Sequence, residues 1–117
     1  LNELLNQVSQ GNYSEFRNWL SDCNINTLSL RAKIPEQLRQ NLWHLSTALQ
    51  GTQVTSLDLS CNTIGNEGIR DFASQLKNSL LNSIDFSHAH IGDDGIRDFS
   101  AQLKETQLQS IDFQGNA

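Results

Sequence analysis

The chain is poor in cations: eight Lys and Arg stand against thirteen Asp and Glu, a formal net charge of −5. Binding a phosphate backbone needs clustered Lys and Arg, so nucleic acid is not an expected partner and a basic protein surface is. No apolar run approaches the roughly 20 residues that cross a bilayer, and no charged-then-apolar leader precedes the first helical pattern, so no membrane partner is expected. The sequence opens on Leu1 rather than Met, however, and a removed leader or further domain is compatible with that. Cysteine is scarce too. Cys23 and Cys61 are too few for a disulfide framework and match no metal spacing. Two free thiols are expected, which favours a reducing compartment and a cytoplasmic location. At 117 residues, one domain with a continuous but thin core is expected.

What the chain has is repetition. VTSLDLSCNTIGNEGIRDFASQLKNSL begins at Val54, LNSIDFSHAHIGDDGIRDFSAQLKETQ at Leu81, and LQSIDFQGNA at Leu108, a constant step of 27 residues. Such self-similarity marks a stacked-repeat architecture. Each unit opens with apolar residues at spacing three then two: Val54, Leu57, Leu59, and again Leu81, Ile84, Phe86. The local period of two predicts a short strand with one side facing inward. After a turn the spacing changes to Ile69, Phe72, Leu76 and Ile96, Phe99, Leu103, one face of a helix, with Asn66 and Asp93 placed as N-caps. Gly65 and Gly92 are expected to permit the tight bend, and Gly68 and Gly95 to let neighbouring backbones approach.

The pattern LxxLDLSxNxI, the 27-residue period and the GNEGI of the helix together resemble leucine-rich repeats of the ribonuclease-inhibitor type. The resemblance implies an α/β solenoid, a right-handed β-α superhelix with parallel strands on its concave side and helices outside. It also implies that Asn62 bonds backbone groups in the turn. Ala89 stands at the matching place in the next unit, so one turn is expected to be irregular while the fold is kept. The near-copies GIRDFASQLK and GIRDFSAQLK in an Asn-, Gln- and Ser-rich context also resemble repeat-bearing effectors of intracellular bacterial pathogens. That likeness implies action in a host cytosol.

Before the repeats, Leu1, Leu4, Leu5 and Val8 form one helical stripe ended by Gly11; Tyr13, Phe16, Trp19 and Leu20 form a second, capped near Asn12 or Ser14. Residues 1–24 are thus expected to be capping helices that cover the outer side of the first unit. The units are 25–53, 54–80, 81–107 and a partial 108–117. The first is degenerate: Ile25, Leu28, Leu30 and Ile34 keep the strand spacing, Lys33 replaces the asparagine, and the unit is two residues longer than the others. Pro35 suits a first helical turn, Leu38, Leu42, Leu45 and Leu49 form the buried face of a helix, and Gly51 stops it. Trp43 and His44 lie beside that face and are expected to pack. The last strand, Leu108, Ile111 and Phe113, has no helix after it to cover it, so the natural protein is expected to continue past Ala117.

Residues alternating with the core positions face out of the sheet and form columns. They are Thr27, Ser56, Ser83 and Ser110; Ser29, Asp58, Asp85 and Asp112; and Arg31, Ser60, Ser87 and Gln114. Three stacked carboxylates repel by some tenths of a kcal/mol per adjacent pair, which a cationic ligand relieves. Beside them Cys61, Asn62 and Thr63 become His88, Ala89 and His90. Positions that vary while the frame repeats are free for contact. The expected partner-binding set is therefore Ser29, Arg31, Ser56, Asp58, Ser60, Ser83, Asp85, Ser87, His88, His90, Asp112 and Gln114. His88, His90, Asp93 and Asp94 do not have the spacing of a metal site, and solvated histidines are expected, with no metal and no cofactor. Gly65 to Gly68 is too short for a phosphate loop, and no histidine is placed to activate Ser56, Ser60 or Cys61, so no enzyme is expected. By resemblance, the function is protein recognition by a preformed concave face, inhibiting or regulating an enzyme, with the chain a monomer until it binds. The alternative is a substrate-recruiting or ligand-sensing region of a larger effector or receptor.

Overall fold

The structure, a computed structural model, describes residues 1–116; Ala117, the last residue of the fourth unit, lies outside them. Two helices open the chain, α1 (Asn2–Ser9) and α2 (Ser14–Asp22), and strand β1 (Thr27–Ser29) follows. Then come α3 (Glu36–Arg39), α4 (Trp43–Leu49), β2 (Ser56–Asp58), α5 (Gly65–Ala73), β3 (Ser83–Asp85), α6 (Asp93–Ala101), a 3₁₀ turn (Leu103–Glu105) and β4 (Ser110–Asp112). The four strands form one parallel sheet in chain order. Equivalent residues pair without shift: Leu28 with Leu57, Leu57 with Ile84, Ile84 with Ile111. Each unit can bury its apolar strand residue only by stacking on the same residue of the next, which holds this register even across the longer first unit.

The two extra residues of the first unit leave the sheet untouched. They are absorbed on the helical side, where a single helix was expected and the chain instead forms α3 and α4 with a break between them. Leu38, Leu42, Leu45 and Leu49 all remain buried, because the break keeps their side chains on the core face. Pro35 sits at the N-cap of α3 with φ −68°, where its missing N–H is no loss.

Leu5, Val8, Phe16 and Leu20 of the first two helices are fully buried, α1 against α3 and α4, α2 against α4. Leu1, expected in that stripe, is instead 41% exposed. Neither Asn12 nor Ser14 caps the α2 backbone; the cap position is Tyr13. Arg17 ties α2 to the repeats by donating from Nε to Ala48 O at 3.0 Å and from Nη2 to Thr47 O at 2.7 Å, carbonyls at the C-terminal end of α4. The same guanidinium lies 5.2 Å from the Tyr13 ring centroid. Tyr13 Oη is 2.6 Å from His44 Nδ1, and His44 stacks on Trp43 with centroids 3.8 Å apart. Tyr13 of the second stripe and the Trp43–His44 pair beside the α4 face thus join cap to first unit.

In the later units Phe86 is the centre of the core. It meets Phe72 and Phe99 edge-on at 6.0 and 5.5 Å and stacks on Phe113 at 5.8 Å, geometries that suit the ring quadrupoles. α5 packs on α6, and Arg70 pairs with Asp98 across them. The expected helix caps are corrected. Asn66 does not cap its own helix; its Oδ1 accepts from Gly92 N, at the cap of the next helix, at 2.7 Å. That crossing explains Gly95, where a Cβ would lie 2.5 Å from Asn66 Oδ1 and 3.0 Å from Asn66 Cα. Gly65 bends the chain with φ +70°, as expected, but Gly92 is extended and makes no such bend.

Candidate functional site

The concave face is framed by asparagine side chains at the end of the sheet. Asn62, 5% exposed, accepts from Ile34 N at 3.0 Å through Oδ1 and donates from Nδ2 to Leu30 O, Leu59 O and Ser60 O. One side chain thereby serves its own unit and the preceding one. Asn116, two periods later, does the same for Phe86 O, Phe113 O, Ala89 N and Ile91 N. The unit between them carries Ala89, yet its strand-end carbonyls are not orphaned: Asn62 holds Leu59 O and Asn116 holds Phe86 O. Ile64 N and Gly65 N turn to the main-chain oxygen of Ala89, at 3.1 and 3.0 Å. A gap of one unit is covered because each asparagine spans two.

The turn at that gap is irregular, as the sequence implies. Ala32, Cys61, His88 and Gly115 occupy one column and all have positive φ, 55°, 59°, 53° and 75°. In the third unit His90 is left-handed as well, at 59°, whereas its counterpart Thr63 is not, and in the second unit the further left-handed residue is Gly65, two places later. Left-handed conformation costs a non-glycine residue about 1–2 kcal/mol. His88 and His90 are therefore held on a strained turn, both exposed, with the buried Ala89 between them. The His88 ring lies over Gly115, where an added Cβ would collide with Nδ1 and Cε1.

The sheet pairing aligns the first two columns. Ser56, Ser83 and Ser110 follow Thr27, and Asp58, Asp85 and Asp112 follow Ser29, each on adjacent strands. Thr27, Ser29, Ser110 and Asp112 are exposed; Ser56, Asp58, Ser83 and Asp85 are half-buried. Each aspartate also supports the turn that follows its strand. Its Oδ1 accepts the main-chain N–H two residues on, from Ser60, Ser87 and Gln114, at 2.8 Å in all three cases. This repeated D-x-S or D-x-Q turn is visible in the sequence once the aspartates are read as acceptors. Neither ion pair among the described residues involves these carboxylates. The third column differs from the other two. Ser60 and Ser87 are buried at 0% and 8% exposure, beneath the surface that a partner would touch, while Arg31 and Gln114 are exposed. Arg31 Nη1 lies 3.4 Å from Ser60 Oγ, which directs its guanidinium from the first unit toward the second.

Among the described residues no three His, Cys, Asp or Glu side chains converge as metal ligands. Cys23 and Cys61 are both free. On the opposite side of the molecule an open cleft of about 780 Å³ lies between α3 and α5, lined by Glu36, Arg39, Glu67 and Arg70 among others. Its charges are of both signs, and Arg70 is engaged by Asp98. Among the described residues no helix is long and apolar enough to cross a membrane.

Comparison with curated proteins gives no match. A family model described as Leucine Rich repeat matches residues 52–73 and 77–100, most of the second and third units. With the parallel four-stranded sheet and the helices behind it, the chain has the fold of an α/β leucine-rich repeat solenoid, an architecture whose curved face generally serves protein–protein interaction.

Proposed function

We propose that this chain binds a protein through the concave face of its sheet and that the contact surface of the partner is basic. The carrying observation is the in-register column Asp58, Asp85 and Asp112, three carboxylates on adjacent strands with no cation paired to them among the described residues. Ser56, Ser83, His88, His90 and Gln114 flank the column and complete the contact surface, with Ser29 and Arg31 at the β1 end. Ser60 and Ser87 hold the turn beneath it. The scaffold is ordered before it binds, so little further conformational entropy is lost on association. A rigid concave face acts by covering a surface of its partner, and blocking or regulating an enzyme is the mode we assign. The setting we assign is cytosolic, that of the host cell for a bacterial effector, with a monomer before binding.

The test separates charge from turn structure. Asp→Asn at positions 58, 85 and 112 keeps the Oδ1 acceptor and removes the charge. The triple variant, folded by circular dichroism, is compared with wild type as bait in a pull-down at low salt. Loss of the captured protein supports the reading. Equal capture by both would move the site to the N-terminal helices or the convex side.

A further inference from the structure

His88 and His90 stand on a turn that has no anchoring side chain in its own unit. In the second unit the corresponding turn is built around the buried Asn62, and its left-handed residues are Cys61 and Gly65. In the third unit Ala89 offers no polar group, and two neighbours that are not glycine are left-handed, His88 at 53° and His90 at 59°. The N–H groups of this turn are held instead from the fourth unit. His88 N donates to Gln114 O at 2.9 Å, and Asn116 Oδ1 accepts from Ala89 N at 3.1 Å and from Ile91 N at 2.8 Å. With the His88 ring lying over Gly115, three consecutive residues, 114–116, grip the turn. Gln114 and Gly115 are exposed and Asn116 is half-buried.

We infer that residues 114–116 are a latch over the turn 88–91, and that latch and turn open together as one local unit while the rest of the stack stays folded. Closed, the latch holds His88 and His90 in left-handed backbone at the end of the sheet. Open, the turn relaxes to an unstrained backbone and the two imidazoles lose their fixed position. Strain and hydrogen bonds act against each other over the same few residues, which is what makes the opening local. Each latch bond shifts the balance by roughly fivefold. Ala89 and Ile91 are fully buried, and Ala89 O accepts from Ile64 N and Gly65 N, so the closed form predominates and those two amides are released with the turn. The bond from Leu59 N to Asp85 O lies within the sheet and outside the opening unit. The consequence for recognition rests on the concave-face reading above: a partner that touches His88, His90 or Gln114 selects the closed form.

The test is amide hydrogen exchange of the full chain, read residue by residue by NMR with no partner present, so that its outcome is independent of the contact surface. Asn116→Ala removes two side-chain bonds to the turn and should speed exchange at Ala89 and Ile91 by about tenfold or more. Exchange at Leu59 should stay as in wild type. His90→Gly relieves the strain and leaves the latch in place. Alone it should slow exchange at Ala89 and Ile91 a few fold, and in the double variant it should reverse part of the acceleration. Unchanged exchange at Ala89 and Ile91 in Asn116→Ala would overturn the latch, and so would acceleration at Leu59 in step with them, which would make Asn116 a support of the whole stack. Should Asn116→Ala fail to fold, the single His90→Gly variant decides: exchange no slower than in wild type overturns the strained turn.

Discussion

Replacing Asn62 by alanine should be among the most damaging single changes in the chain, although the third unit already carries alanine at the same place. The Asn62 carboxamide is buried and joins four main-chain groups: Ile34 N, Leu30 O and Leu59 O at 3.0 Å each and Ser60 O at 3.2 Å. With one acceptor in use and two amide hydrogens, it supplies three full hydrogen bonds, one of the hydrogens being shared. Each is worth about 1 kcal/mol net, and buried groups left unpaired add to the loss, so Asn62→Ala should cost about 3 kcal/mol. For a urea slope of about 1–3 kcal/mol per M, that moves the unfolding midpoint down by roughly 1–3 M. The control is Ala89→Asn. There the carbonyls a new carboxamide would seek, Leu59 O and Phe86 O, are already bonded by Asn62 and Asn116, and Ile64 N is taken by Ala89 O. Ala89 is also fully buried, so the larger side chain crowds the core. Urea titrations followed by circular dichroism on both variants check the pair. A loss below about 1 kcal/mol for Asn62→Ala, or a gain above about 1 kcal/mol for Ala89→Asn, would refute the idea that one asparagine serves two units.

Gly95→Ala should destabilise by about 1–3 kcal/mol on thermal or urea unfolding, because its Cβ meets the Asn66 backbone at 3.0 Å, outweighing the usual gain from alanine in a helix. Burial raises the Tyr13 phenol above its ordinary value of 10.0, with Arg17 and Thr47 acting in the opposite sense. The folded state therefore holds this proton more tightly than the unfolded chain, and stability contributed by Tyr13 is intact below pH 10 and lost as pH rises beyond it. Unfolding titrations of Tyr13→Phe and wild type through that range should show a shallower decline for the variant. Of the two thiols, exposed Cys23 should react with a disulfide reagent faster than half-buried Cys61, and both should react without denaturant.

Much of the architecture was legible because repetition reports itself. Equal steps from Val54 to Leu81 to Leu108 required equal strands in register, and a period of two around Leu57 and Ile84 required one inward face. The columns on the sheet followed from these two facts alone. Their depth did not. Ser60 and Ser87 occupy the same alternating pattern as Asp58 and Asp85 but lie past the last paired residue of each strand, where the chain turns down into the core. Alternation predicts outward facing only while the backbone stays extended.

The other differences share one cause. Asn66 looked like a cap for its own helix and instead serves Gly92, and Asn62 serves Leu30 and Ile34 of the unit before it. A sequence pattern assigns a side chain to its own segment, whereas stacking brings the neighbouring unit as close as the next turn of chain. The break between α3 and α4 likewise reflects competition between two extra residues and a sheet that could not shift. The sequence by itself determined the period, the strand register and the chemistry of the concave columns, since these depend on which residue stands at each step. The tertiary structure decided which polar groups are spent between units and which remain for a partner, because that depends on distances across the stack.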